Sequence, residues 1–148
     1  MAVTAAWYGL AGKDQWNTVS ADRVDWLTDT IKTSLHLVGY VPNQDTDQYF
    51  STASNEITGT GYTAGGVTLG SKTLTYDSAT NEARLDAADA TWTTATFTAR
   101  IAVTYKSTGT SSTSHLMGFV NFGGDQTVST GTFTIQWDAT GVLKAVAA

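Results

Sequence analysis

Apolar and polar residues alternate along most of the chain after residue 24. The clearest run is residues 96–105 (TFTARIAVTY), in which every second side chain is apolar. A period of two is typical of a β-strand that buries one face, because successive side chains point to opposite faces of a sheet. We therefore predict a central strand over residues 96–105.

The same pattern recurs in shorter segments. In residues 31–37, one face carries Ile31, Thr33, Leu35 and Leu37, and the opposite face carries Lys32, Ser34 and His36. Further strands are predicted at residues 67–76 with a break at Gly70, and at 82–86, 115–122, 131–137 and 142–146. Residues 138–141 (DATG) predict a tight hairpin turn between the last two strands, with Gly141 in a left-handed conformation.

These segments define the expected fold class. About eight strands with frequent turns predict an all-β protein, an antiparallel β-sandwich with jelly-roll or immunoglobulin-like connections. The chain of 148 residues has the size of one domain, which we place at residues 21–148. The alternation predicts a core that contains Phe97, Ile101, Val103, Phe119, Phe133, Ile135 and Trp137.

The first 20 residues differ from this pattern. Val3, Trp7 and Leu10 fall on one helical face, but Gly9 and Gly12 weaken a helix. The segment predicts an N-terminal short helix or extended arm. Its two tryptophans, Trp7 and Trp16, either clamp the arm onto its own sandwich or dock it onto another subunit. For Trp26 and Trp137, burial in the core is expected.

Composition and charge exclude several classes of partner. The net charge is −5, and the eight basic residues occur singly rather than in runs. Nucleic-acid binding depends on clustered Lys and Arg, so no nucleic-acid partner is expected. There is no cysteine and no apolar run of membrane-spanning length or secretory-signal type, so we expect neither a disulfide framework nor a membrane partner.

Residues 55–69 (NEITGTGYTAGGVTL) contain four glycines: Gly59, Gly61, Gly65 and Gly66. Their spacing is not that of a dinucleotide fingerprint, and no phosphate-binding Lys-Ser or Lys-Thr pair and no helix pattern follow them. The loop is therefore interpreted as backbone geometry, with bends, a bulge or a close approach to a neighbouring chain.

The remaining polar residues do not define an active site. The histidines, His36 and His115, are expected to be structural residues at or near the surface, because too few partners accompany them for metal binding or a catalytic triad. Asp45 and Asp47 lack the glycine and glutamate of a calcium loop and are interpreted as turn carboxylates, as are Asp86 and Asp89. We predict no catalytic residues, no metal and no cofactor.

Several motifs together resemble a family of small virion structural proteins of tailed bacteriophages and prophages. They are DTIK at residues 29–32, PNQDTDQYF at 42–50, NEITGTGYTAGGVTL at 55–69, RLDAADATW at 84–92, FTARIAVTYKSTGT at 97–110, VNFGGDQ at 120–126 and FTIQWDATGVL at 133–143. The resemblance implies a component of the virus particle, without enzymatic activity, that is assembled in the cytoplasm of a bacterial host.

Within that family, the leading hypothesis is a capsid decoration or cement protein that binds the major capsid protein on the outer shell and forms homo-oligomers there. A tail or head-tail connector component is the first alternative. A carbohydrate-binding module with exposed aromatic rings is the second, and a small β-sandwich hydrolase is the third. The candidate interface residues are the aromatic residues of the arm and of the polar loop at 43–55, namely Trp7, Tyr8, Trp16, Tyr49 and Phe50.

Overall fold

A computed structural model describes residues 2–16 and 20–146. They form eight β-strands and one α-helix: β1 (Thr4–Trp7), α1 (Gly9–Asp14), β2 (Ile31–His36), β3 (Val67–Thr68), β4 (Thr73–Asp77), β5 (Glu82–Asp86), β6 (Ala90–Lys106), β7 (Leu116–Ile135) and β8 (Leu143–Val146). Short 3₁₀ turns lie at Ser20–Asp22, Phe50–Thr52 and Ser111–Thr113.

The strands form two antiparallel sheets. The large sheet has the order β1-β7-β6-β2-β3, and the small sheet has the order β4-β5-β8. The all-β sandwich predicted from the alternating pattern is confirmed. The strand predicted to be central, residues 96–105, is part of β6 in the middle of the large sheet.

The first hydrophobic core lies between the large sheet and the small sheet. It contains Ile31 and Leu35 from β2, Trp92 and Phe97 from β6, and the predicted core residue Ile135. Leu85 and Leu143 reach it from the small sheet. Trp26 is buried there as expected, and Phe133 and Trp137 are half-buried against it.

A second core covers the opposite face of the large sheet. Ile101 and Val103 of β6 pack there against Tyr8, Ala11 and Tyr40, with Phe119 half-buried beside them. The cover consists of α1 and the loop after β2. The sheet is therefore buried on both faces, which corrects the expectation that Ser34 and His36 lie on a polar outer face. Both side chains are fully buried.

Strands β6 and β7 contribute residues to both cores. Between the pairs Ala99↔Gln126 and Ile101↔Asn121, one residue of β6 faces four residues of β7, which form a large bulge at residues 122–125. Phe122 and Phe133 are eleven positions apart in β7, yet their ring centroids are 6.1 Å apart. A straight strand would separate them by about 36 Å. The bulge therefore bends the hairpin so that its far half folds back over the first core.

The turn at residues 138–141 forms as predicted, with the Gly141 amide donating to the Asp138 carbonyl at 2.8 Å and Gly141 at φ +107°. The hairpin itself is wrong, because β7 ends at Ile135 and β8 pairs with β5 in the other sheet. The amide of Trp137 donates to the Asp89 carboxylate as the chain crosses between sheets.

Candidate interaction surfaces

The glycine loop at residues 55–69 lies against the large sheet of its own chain, where the expectation named a neighbouring chain. Gly66 has φ +74°, and a Cβ there would overlap the Thr33 carbonyl oxygen. Gly61 has φ +77°, and its Cβ would lie 2.7 Å from the Thr93 carbonyl oxygen. Glycine is needed at both positions because it alone lacks the Cβ and adopts positive φ without strain.

In the N-terminal segment, the predicted short helix forms as α1, and residues 4–7 form a strand of the large sheet rather than an extended arm. Residues 1 and 17–19 of the predicted segment lie outside the described residues. Strand β1 pairs with β7 from Thr4↔Asn121 to Trp7↔Gly118. The Tyr8 side chain is fully buried, and its hydroxyl lies 2.6 Å from the hydroxyl of Tyr40. Tyr8 therefore does not lie on the surface of the chain, which corrects its choice as an interface residue.

Trp7 connects the two sheets. Its half-buried ring packs against both cores, and its indole N–H donates to the carbonyl of Lys144 in β8 at 2.8 Å. Of the two alternatives for this tryptophan, the structure shows the contact with its own sandwich.

Tyr49 and Phe50 are half-buried in the cover of the large sheet. The Phe50 ring stacks on Tyr105, with centroids 4.1 Å apart and planes 10° from parallel. The Tyr49 ring centroid lies 4.5 Å from that of His115. Most of the contact area of both rings is therefore used within the chain.

Trp16 is the one proposed interface residue that is mostly exposed, with a residue exposure of 90%. It follows α1 directly, and its backbone amide donates to the Lys13 carbonyl at 3.1 Å. The structure therefore brings Trp7, Tyr8 and Phe50 together around the second core and leaves Trp16 outside it.

Behind α1 lies a buried polar cluster that the sequence did not predict. His115 Nε2 is 3.1 Å from Asp22 Oδ1, and His115 Nδ1 is 3.6 Å from Asp14 Oδ2. Gln48 donates to Asp14 at 2.9 Å. Burial alone would raise the pKa of Asp14, but bonds from Lys13 and Gln48 outweigh it and hold that pKa below its usual value.

This cluster connects α1 and the Ser20–Asp22 turn to the start of β7. Asp14 and His115 are both fully buried, which corrects the expectation of a histidine at or near the surface. Asp14 Oδ1 lies 3.0 Å from the Lys13 ammonium nitrogen, whereas His115 Nδ1 has no hydrogen-bond partner among the described residues. Within residues 2–16 and 20–146, no three His, Cys, Asp or Glu side chains are arranged to hold a metal ion.

An apolar surface was also missed from the sequence. It is the turn at residues 37–41, here called the apolar turn, in which Leu37 is 43% exposed, Val38 60% and Val41 79%. Leu37 was expected on the buried face, but β2 ends at His36 and the chain turns there. Tyr40, only 3% exposed, anchors the turn, and its hydroxyl donates to Asp47 Oδ2 at 2.9 Å.

A carbohydrate-binding platform would require exposed aromatic rings that lie side by side. Among the described side chains, the large exposed rings are Trp16 and Tyr76, and neither stacks on another ring. Trp26 and Trp92 are buried in the first core.

Comparisons with protein-family models, with curated proteins and with solved structures found no match to this chain. No helix in the described part of the chain is long and apolar enough to cross a membrane.

Proposed function

We propose that this chain is a structural protein of a tailed-bacteriophage virion and that it binds the major capsid protein on the outer surface of the shell as a decoration protein. The motifs between residues 29 and 143, which resemble those of phage virion proteins, support the proposal of a virion component. The apolar turn is the observation that carries the proposal of a protein-binding role.

The apolar turn suits a protein partner because it presents aliphatic side chains on a fixed backbone. Tyr40 is held below it by hydrogen bonds with Tyr8 and Asp47, and the Asn43 amide donates to the same Asp47 oxygen at 3.0 Å. A loop that is already ordered loses little conformational entropy on binding. Burial of each valine would contribute about 1.5 kcal/mol.

The net charge of the chain and the many equivalent sites on a shell also favour this proposal. The chain carries a net charge of −5, which suits the outside of a shell better than contact with packaged DNA. A shell offers many equivalent sites, so modest binding by each copy is sufficient when neighbouring copies bind together.

The test uses shells from a phage in which the gene for this chain has been deleted. Purified protein is added, unbound protein is removed by sedimentation, and bound copies per shell are counted. Saturation at a copy number set by the shell symmetry supports decoration. A few copies per particle would instead support a tail or connector component, and absence of binding would contradict the proposal.

A pair of variants tests the contact itself. Val38→Ser combined with Val41→Ser should weaken binding at least about tenfold, because two buried valines are lost from the interface. Val146→Ser is the matched control, since Val146 is 59% exposed and Val38 is 60% exposed. Equal binding by the double variant and the control would show that the apolar turn is not the contact.

A further inference from the structure

The edges of the small sheet differ in how they are protected. The outer edge of β8 is covered by Trp7, whose indole N–H donates to the Lys144 carbonyl at 2.8 Å. The edge of β4, Thr73–Asp77, has no strand against it in the part of the chain that the structure describes. An unpaired edge strand is a template for pairing with another chain.

The pairing of β5 with β8 and with β4 shows which backbone groups of β4 point away from the sheet. The Val142 amide donates to the Leu85 carbonyl at 2.8 Å, so the backbone of Leu85 points to β8. Backbone direction alternates along a strand, and Arg84 and Asp86 therefore point to β4. Their partners Thr75 and Thr73 point back to β5, which leaves the amides and carbonyls of Leu74 and Tyr76 directed outward.

The side chains at the same two positions are apolar and exposed. Leu74 is 51% exposed and Tyr76 is 63% exposed. The Tyr76 hydroxyl donates to Asn81 Oδ1 at 3.0 Å, which orients the ring. The edge therefore offers four backbone hydrogen-bonding groups together with two large uncovered side chains.

We infer that β4 is a self-association surface, through which two copies of this chain pair as antiparallel strands about a twofold axis at Thr75. A twofold axis perpendicular to the sheet preserves the face of each side chain, so Leu74 of one copy stands opposite Tyr76 of the second copy. This register uses all four outward amides and carbonyls. It also joins the two small sheets into one continuous sheet of six strands.

The cross-strand pairs in this register are compatible. Leu74 opposite Tyr76 is an aliphatic-aromatic pair, and such pairs stabilise antiparallel sheets. Asp77 stands opposite Thr73, so no like charges face each other, and the Asp77 carboxylate is already paired with Arg84 at 2.7 Å. The occupant of the edge is therefore a second copy, because the sequence TLTYD is complementary to itself in this register.

The association is expected to be weak. A five-residue edge buries less than the area of about 1,200 Å² that stable interfaces cover. Each copy also carries a net charge of −5, so long-range repulsion opposes association and added salt should strengthen it. This inference concerns the free chain and stands without the proposed role in a virion.

Sedimentation velocity tests the inference directly. The purified chain should change from monomer to dimer as its concentration rises to about 1 mM, with a larger dimer fraction at higher salt. A chain that remains monomeric at that concentration in high salt overturns the inference.

Two variants identify the surface. Leu74→Lys should weaken the dimer at least about tenfold, because it places a charge where an apolar cross-strand pair would form. Leu27→Lys is the matched control, since Leu27 has the same 51% exposure, and it should dimerise like the wild-type chain. Equal loss in both variants, or no loss with Leu74→Lys, would overturn the assignment to β4.

Tyr76→Pro tests the backbone pairing. Proline removes an outward amide that makes no bond within the sheet, and edge strands tolerate it there. The monomer should keep its circular dichroism spectrum while the dimer is lost. Tyr76→Phe keeps the amide and the ring and should still dimerise. A dimer that survives Tyr76→Pro in a folded monomer would contradict strand pairing.

Discussion

The hydroxyl groups of Tyr8 and Tyr40 lie 2.6 Å apart in the second core, and the Tyr40 hydroxyl donates to Asp47. This chain of hydrogen bonds connects the N-terminal segment to the loop after β2. Burial raises the pKa of both hydroxyls above the usual value of a tyrosine. The contact therefore orders the N-terminal segment from within the chain.

Tyr40→Phe should destabilise the protein by about 1 to 3 kcal/mol, because it leaves the buried Tyr8 hydroxyl without its partner. The measurement is the free energy of unfolding in urea. Tyr76→Phe removes a hydroxyl from a ring that is 63% exposed and should change stability by less than about 0.5 kcal/mol. Equal effects would show that the buried hydroxyl pair does not stabilise the fold.

Ile101→Ala should cost about 2 to 5 kcal/mol, because Ile101 is 2% exposed and its truncation leaves a cavity in the second core. Denaturant unfolding measures this change. Val38→Ala, on the apolar turn, is the control and should stay within about 0.5 kcal/mol of the wild-type chain. A cost below about 1 kcal/mol for Ile101→Ala would contradict the burial of this face.

Gly66→Ala should destabilise the chain or prevent folding, because the added Cβ meets the Thr33 carbonyl and φ is +74°. Gly12→Ala is the matched control. Gly12 lies within α1, and apart from its chain neighbours and the backbone of that helix no described atom lies within 4 Å of its Cβ position. Alanine favours a helix over glycine by about 0.5 to 1 kcal/mol, so this variant should be slightly more stable. Thermal melting of the two variants compares them, and a neutral Gly66→Ala would mean that the glycine loop does not approach β2 this closely.

The pH dependence of stability should contain a contribution from Glu82. Hydrogen bonds from Lys144 and then Arg84 lower the pKa of Glu82 from 4.5 to about 2. A lowered folded-state pKa stabilises the fold above the unfolded value, and this stabilisation is lost as pH falls from 4.5 to about 2. The difference in free energy of unfolding between the wild-type chain and Glu82→Gln should therefore shrink across that window.

Lys144→Met provides the control for this prediction. It removes the ammonium group that lies 2.8 Å from Glu82 Oε1 while keeping the carboxylate, so the same pH dependence should become weaker. Urea unfolding at several pH values measures both variants. A constant difference between Glu82→Gln and the wild-type chain from neutral to acid pH would refute the assignment.

Local alternation predicted some strands well. Residues 82–86 were predicted as a strand and form β5 with the same bounds. This prediction depended only on the sequence of the segment and of the residues beside it. The predicted break at Gly70 is present, but it divides residues 67–76 between β3 of the large sheet and β4 of the small sheet, so the segment is not one interrupted strand. The sandwich class followed from the number and spacing of such segments.

The alternating pattern could not predict that the face of the large sheet with Ser34 and His36 is also buried. His36 alternates with apolar residues as a surface residue would, but its Nδ1 lies 2.7 Å from the Ser54 carbonyl and its ring is 5.2 Å from that of Tyr40. Ser54 comes from the polar loop at residues 43–55 and Tyr40 from the apolar turn, and neither segment shows the alternation of a strand. The apolar turn was missed for a related reason, because Leu37 continues the pattern of β2 after the strand has ended.

The bent hairpin of β6 and β7 has a consequence for how the protein unfolds. Strand β6 supplies Trp92 to one core and Val103 to the other, so both cores are built on the same pair of strands, β6 and β7. Amide hydrogens along the middle of β6 should therefore exchange with solvent only through global unfolding, and amides of both cores should share one opening free energy. We therefore expect the two cores to unfold together as one cooperative unit.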